Sequence, residues 1–361
     1  MKGWSRQVIL HSIAGVHQLN HKQFFCSTKS QEVTVLPFNS PGLQSPIYDL
    51  SPFFVTGFVD AEGCFSIVVQ KSLKSRLGWS VRVLFSIGLH KQDLPLLKNL
   101  QAYFGGIGTI GIQGKDSFQL QISKLDQIST IIQHLTKYPL KSKKKYDYLL
   151  FKQAVDILES KRHLTSEGLQ EVLNIKASLN LGLPLTLKEA FPLTTPISIP
   201  LDDDEVILNE HPEWLSGFTS GDGHFMVKIF KCAGQKLGFK VALRFKITQD
   251  SRDELLLKSF KSFFGCGNYY SRKGGEHGDY ICEKFADVLE IIIPFFIKYP
   301  IHGAKSLDFQ DFRKVAELMK TKAHLTPYGL DLISQIKKGM NNGRKSKIML
   351  DEADPDSMGN N

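Results

Sequence analysis

Residues 54–67 read FVTGFVDAEGCFSI, and residues 215–227 read LSGFTSGDGHFMV. In the first stretch, Ser51 and Pro52 supply an N-cap and a first helical position, and Gly63 supplies a helix stop. The helix therefore ends on Glu62, where the backbone dipole disfavours negative charge. After Gly63 the period falls to two, with Phe65, Ile67 and Val69 on one face and Cys64, Ser66, Val68 and Gln70 on the other. A single acid in this position is compatible with an ordinary exposed residue before a stop glycine. Its recurrence as Asp222 before Gly223 is not so easily dismissed.

The recurrence extends along the chain. At an offset of 160, Gly57, Phe58, Gly63 and Phe65 return as Gly217, Phe218, Gly223 and Phe225, and the register holds through Phe104 and Gly105, matched by Phe264 and Gly265. One insertion later, Lys137-Tyr138-Pro139 matches Lys298-Tyr299-Pro300, and HLTSEGL at 163–169 matches HLTPYGL at 324–330. The chain is a tandem duplication. Each copy reads as helix, hairpin, helix, two weaker strands and helices, so an α+β pair of αββαββα units is expected. The divisions are an N-terminal extension over 1–46, a first domain over 47–180, a linker over 181–210, a second domain over 211–345 and a disordered tail over 346–361. The linker, with its prolines and Asp202, Asp203 and Asp204, reads as extended chain rather than packed structure.

Composition narrows the partners. The 361 residues are 42% hydrophobic, enough for two ordinary cores, and the net charge of +9 favours a polyanion or an anionic membrane surface. No apolar run approaches the roughly 20 residues of a membrane span, since Pro294 interrupts VLEIIIPFFI, so no membrane partner is expected. The five cysteines have neither a CxxC pair nor metal-finger spacing. Residues 1–31 hold no acid, with Lys2, Arg6, Lys22 and Lys29 among apolar and hydroxyl residues. That pattern is either a mitochondrial presequence or a read-through extension without targeting value.

Small residues mark how the copies meet. Gly57 and Ala61, and Gly217 and Gly221, recur at helical i, i+4 spacing, so the two helices can approach closely. Paired in this way, they bring Glu62 and Asp222 together as two repelling carboxylates, whose usual compensation is a hard divalent cation. Lysines recur as well: Lys124 and Lys284 follow the last strand, and Lys144 and Lys305 follow the Tyr-Pro signal. A lysine near a metal-bound phosphate stabilises developing charge; Lys124 and Lys284 enter the catalytic set. In the second copy Lys240, Arg244 and Lys246 alternate with Val241, Leu243, Phe245 and Ile247. Two such faces side by side would span about two DNA turns, at about 3.3 Å per strand residue and about 34 Å per turn.

FVTGFVDAEG and WLSGFTSGDG resemble the paired signature motifs of the LAGLIDADG homing endonucleases, in the single-chain form encoded by group I introns. The resemblance covers roughly residues 47–345. It implies a monomer acting as a pseudo-dimer, a saddle-shaped antiparallel sheet in the DNA major groove, and cleavage of both strands of double-stranded DNA with Mg²⁺ or Mn²⁺. On the matching positions it implies Glu62 and Asp222 as metal ligands, and Gln249 as a polar residue near the site where the first copy has Leu89. Asp60 falls on the first acidic position of the motif, matched by Ser220 in a structural role. The implied DNA-reading face is Ser66, Val68, Gln70, Ser80, Arg82 and Ser86, with His224, Met226, Lys228, Lys240, Arg244 and Lys246. Because the two sets differ, the target should be asymmetric. The competing expectations are a maturase that binds group I intron RNA and an inactive DNA-binding remnant, and the expected location is the mitochondrion.

Overall fold

A computed structural model describes residues 49–199, 208 and 210–341; the extension over 1–46 and the tail over 346–361 lie outside the described residues. In the first copy α1 (Pro52–Glu62) runs without a break into β1 (Gly63–Lys71), which pairs with β2 (Trp79–His90). There follow α2 (Leu94–Tyr103), β3 (Thr109–Ile112), β4 (Ser117–Ile122), α3 (Leu125–Lys137), α4 (Lys144–Glu159) and α5 (Ser166–Ser178). Beyond α6 (Leu185–Ala190) the order repeats: α7 (Pro212–Asp222), β5 (Gly223–Lys231), β6 (Phe239–Asp250), α8 (Glu254–Phe264), β7 (Asn268–Ser271) and β8 (His277–Cys282). The copy closes with α9 (285–298), interrupted by a π-helical turn at Val288–Ile292, then α10 (Lys305–Lys320) and α11 (Pro327–Lys338). The two sheets are antiparallel, with strand orders β1-β2-β4-β3 and β5-β6-β8-β7. This is the expected duplicated α+β fold, with α5 and α11 appended.

The strand register follows the alternation in the sequence. Phe65 lies opposite Phe85 and Ile67 opposite Val83, all buried, while Cys64, Ser66 and Val68 face away with Ser86, Leu84 and Arg82. Phe58, Phe65, Phe85 and Phe151 fill the first core; Phe225, Phe245, Phe296 and Phe312 fill the second. Each such ring contributes about 1.5–3 kcal/mol on burial. Phe53 and Ala61 of the first copy pack against the second core, so the cores touch at the paired helices.

Ser51 caps α1 as expected, its Oγ accepting from the Phe54 amide at 3.1 Å with Pro52 behind it. Gly63 ends the helix for a different reason than backbone freedom. Its φ of −69° and ψ of 143° are ordinary extended values, but a Cβ there would collide with the Val59 carbonyl and side chain. Gly223 stands in the same relation to Thr219. The chain turns from helix into strand so sharply that only a missing side chain fits.

The connection between the copies departs from the expected extended linker. Leu185–Ala190 is helical, and Leu183 and Leu187 are buried with Leu169 and Leu173 against Trp79 and Phe191. Thr194 accepts from Gln170, and the Ile197 carbonyl accepts from Ser178 at 2.7 Å, fastening the segment along α5. Leu183 and Leu187, on either side of the exposed Leu185, gave this stretch something to bury, and burial outweighed its proline content.

Asp60 is buried and structural. Its carboxylate accepts from the Lys141 amide at 2.8 Å, the Ser142 hydroxyl at 2.6 Å and the Trp214 indole of the other copy at 2.7 Å. Ser220 does the corresponding work alone, its Oγ accepting from the His302 amide at 3.2 Å. The aspartate-to-serine difference thus leaves the loop tethered in both copies.

Candidate active site

The helices α1 and α7 lie in direct backbone contact. A Cβ on Gly57 would strike the Trp214 carbonyl, and one on Gly217 the Phe54 carbonyl. One turn further on, Gly221 faces Ala61 and the Glu62 side chain. The four small residues named from their spacing therefore line the helix crossing. Because both helices end at this crossing, Glu62 and Asp222 converge there, half-buried. Burial first, and the Asp222 charge second, raise the Glu62 carboxyl to about 8, against the pull of Lys305 and Lys144. Burial likewise raises Asp222, offset by Lys305, Lys144 and a hydrogen bond from Gln249. The Gln249 amide donates to Asp222 Oδ2 at 2.6 Å.

The lysines of this centre are Lys144 and Lys305. Lys144 Nζ donates to the carbonyls of Ala61 at 3.1 Å and Val59 at 3.2 Å; Lys305 Nζ donates to the Gly221 carbonyl. Each ammonium thus neutralises the negative end of the helix that carries an acid. Lys305 is 4% exposed, and burial lowers its affinity for the proton while Asp222 and Glu62 sustain it. Lys124 and Lys284 belong elsewhere. Both are exposed N-cap residues of the helices after the last strand, and Lys284 pairs with Asp287 at 2.9 Å. The strand before them ends away from the acids, whereas the first residue of the next helix but one returns to them.

The outward faces of the sheets carry the other expected residues. Ser66, Val68 and Ser80 are partly exposed, and Gln70 and Arg82 are exposed. Ser86 shares the face but is 3% exposed, which withdraws it from the surface a base could meet. In the second copy His224 lies opposite Lys246 and Met226 opposite Arg244, with Lys228 partly exposed and Lys240 exposed. Arg244 and Lys246 of the basic stripe are held in ion pairs. Arg244 meets Glu283 at 2.5 Å, and Lys246 and Arg272 share Asp279 at 3.5 Å and 2.7 Å. Burial, reinforced by Lys305 and Lys246, keeps the His224 imidazole neutral by pushing it down to about 3.

The family profile described as LAGLIDADG endonuclease matches residues 55–155 and 215–316. The chain belongs to this family. It is 40% identical over 287 residues to a probable intron-encoded endonuclease 3 of Neurospora crassa, covering 79% of this chain and 53% of that one. A second Neurospora crassa relative, probable intron-encoded endonuclease 2, is 38% identical over 81% of this chain and 65% of its own length. The chain thus spans about half to two thirds of the length of these two curated relatives. Among solved structures, the homing endonuclease I-SmaMI bound to cleaved DNA superposes with a TM-score of 0.80 at 41% identity, covering 82% of this chain and 98% of that one. The homing endonuclease I-GzeII in complex with its DNA target gives 0.76 at 40% identity, over 82% and 100%.

Among LAGLIDADG residues that the strand-and-motif reading left out, Gln119 and Gln121 of β4 continue the outward row of Gly88 and Ser86, and Arg272, Thr248 and Asp279 form a hydrogen-bonded cluster on the second sheet. The pairing of β2 with β4 and of β6 with β8 brings them there, and local periodicity does not report which strands pair. Lys144 and Lys305 had a signal, their recurrence at an offset of 161.

Proposed function

We propose that this protein is a divalent-metal-dependent DNA endonuclease that makes a double-strand break in a long asymmetric target at an intron insertion site. The observation that carries the reading is the convergence of Glu62 and Asp222 at the ends of two helices in backbone contact, each with a lysine at the same helix end. Two carboxylates that repel each other in a half-buried site are a donor set for a hard cation, Mg²⁺ or Mn²⁺, and I-SmaMI was solved on its uncleaved target with calcium ions. Glu62 and Asp222 would hold the ion, which supplies an acidified water and charge stabilisation at the scissile phosphate.

The chain's own groups do the rest. Lys144 and Lys305 bring positive charge to the centre while fixed to α1 and α7, so they need not reorganise when negative charge develops. Gln249 holds the Asp222 carboxylate in one orientation. The outward residues of the two sheets read the target, and their sequences differ, which accounts for an asymmetric site. Arg244, Lys246 and Arg272 meet phosphates or base edges by exchanging their carboxylate partners. The relatives placed in ND4 intron 1 of Podospora anserina and a cox1 intron of Schizosaccharomyces pombe support a mitochondrial setting.

With Mg²⁺ and the intronless insertion-site duplex, the wild-type protein should cut both strands and Glu62→Gln should fail to make the break. Tight binding without cutting in Mg²⁺ or Mn²⁺ would overturn the nuclease reading. Splicing of the intron RNA under those conditions would put a maturase in its place.

A further inference from the structure

We propose that Asp93 and Asp253 are positioning residues that hold, across the boundary between the copies, the site lysine of the opposite half; this rests on the nuclease reading above. Lys144 and Lys305 are the first residues of α4 and α10. The amides at the start of a helix have no partner within it and need an oxygen from elsewhere. The cap positions here, Lys143 and Ala304, make no side-chain cap bond. By contrast α5 and α11 are capped locally, by the hydroxyls of Thr165 and Thr326.

At α4 the Lys144 amide finds the Ser142 hydroxyl of its own copy at 3.2 Å, but the amide one residue earlier, and its counterpart before α10, take an oxygen from the other copy. Asp93, which precedes α2 of the first copy, accepts from the Ala304 amide at 2.6 Å, across 211 residues of sequence. Asp253, which precedes α8 of the second copy, accepts from the Lys143 amide at 2.7 Å, across 110 residues. The arrangement is reciprocal, since Asp93 and Asp253 are equivalent positions, as are Lys143 and Ala304. Both acids are buried, at 5% and 7% exposure. Room has been made for the contact: a Cβ on Gly303, whose φ is +74°, would run into Asp93 Oδ1.

The consequence is mechanical. Lys305 reaches the Gly221 carbonyl, and Lys144 the Ala61 carbonyl, only while the first turn of its helix is anchored. Asp60 and Ser220 tether the preceding loop from within each copy, and the last amide before the helix is held from the other half, so the final placement of each lysine depends on the docking of both copies.

The test separates positioning from general damage by following each strand of one target. A duplex carrying a different label on each strand is cut by the full chain in Mg²⁺ under single-turnover conditions, and the ratio of the two strand rates is read. Lys305→Met and Lys144→Met define which strand depends on which lysine. Asp93→Ala should shift the ratio about tenfold in the direction of Lys305→Met, and Asp253→Ala about as far in the direction of Lys144→Met, as expected for losing a charge-assisted bond to a backbone amide. Asp93→Asn keeps an accepting oxygen and the fold; it should shift the ratio in the same direction by about twofold to threefold. A ratio unchanged in both Asp93 variants, or shifted toward Lys144→Met, would overturn the proposal, because loss of stability alone slows both strands together. A wild-type protein that cuts neither strand overturns the nuclease reading first, and this proposal with it.

Discussion

The Gln249 amide lies 2.6 Å from the Asp222 carboxylate, while Leu89, its equivalent in the first copy, is 6% exposed and packed in the first core. The two acids at the centre of this protein are therefore supported unequally. Both side chains point to the helix side of their sheet, and only one of them carries a donor.

The inequality should appear in the chemistry. Gln249→Leu removes a side-chain donor to Asp222 and should slow one strand about tenfold or more relative to the other, the usual scale for losing a group that orients a ligand. Strand-resolved cleavage checks this. Equal slowing of both strands would count against an orienting role for Gln249.

The helix crossing should tolerate no added atom. Gly57→Ala or Gly217→Ala drives a methyl group into a backbone carbonyl of the partner helix, which has no room to yield. A cost of about 3 kcal/mol is expected, and at about 2–4 °C per kcal/mol the melting temperature should fall by about 6 °C or more. A calorimetric shift under about 2 °C would show that the helices can move apart cheaply.

Metal binding should release a proton. With its carboxyl raised to about 8 by burial and by Asp222, Glu62 holds a proton at neutral pH and must lose it to become a ligand. Apparent affinity for Mg²⁺ or Mn²⁺ should therefore rise with pH, by up to about tenfold per unit, and level off above about 8. Asp222→Asn removes the like charge and should move that break to lower pH. Calorimetric titration in buffers of different ionisation enthalpy measures the proton directly, and a pH-independent affinity between 6 and 8 would contradict the coupling.

Acid should loosen the first domain through His134. This ring is buried between Thr56, at 3.1 Å, and Tyr103, at 3.3 Å, and burial lowers it from 6.5 to about 4. The unfolded chain takes up its proton below about 6.5 and the folded one only below about 4, so stability falls as the pH drops through that window. The full loss is about 3 kcal/mol. Denaturant titrations of wild type and His134→Gln across this range should show the variant with the flatter pH dependence by about one proton.

The sequence by itself determined the duplication, the helix-then-hairpin order, the small-residue helix crossing and the two acids that meet there. All of these depend on local periodicity, or on an offset that two copies reveal in each other. Which of the two recurring lysine pairs faces the acids, the burial of Ser86, the packed connection at Leu183 and Leu187, and the exchange of Asp93 and Asp253 between halves were decided only by the tertiary structure. Each depends on which surfaces lie against one another, and the lysine and aspartate contacts do so across 83 to 211 residues of chain. Long-range docking is set by the fit of whole faces, and a spacing rule confined to one helix or one strand carries no record of it.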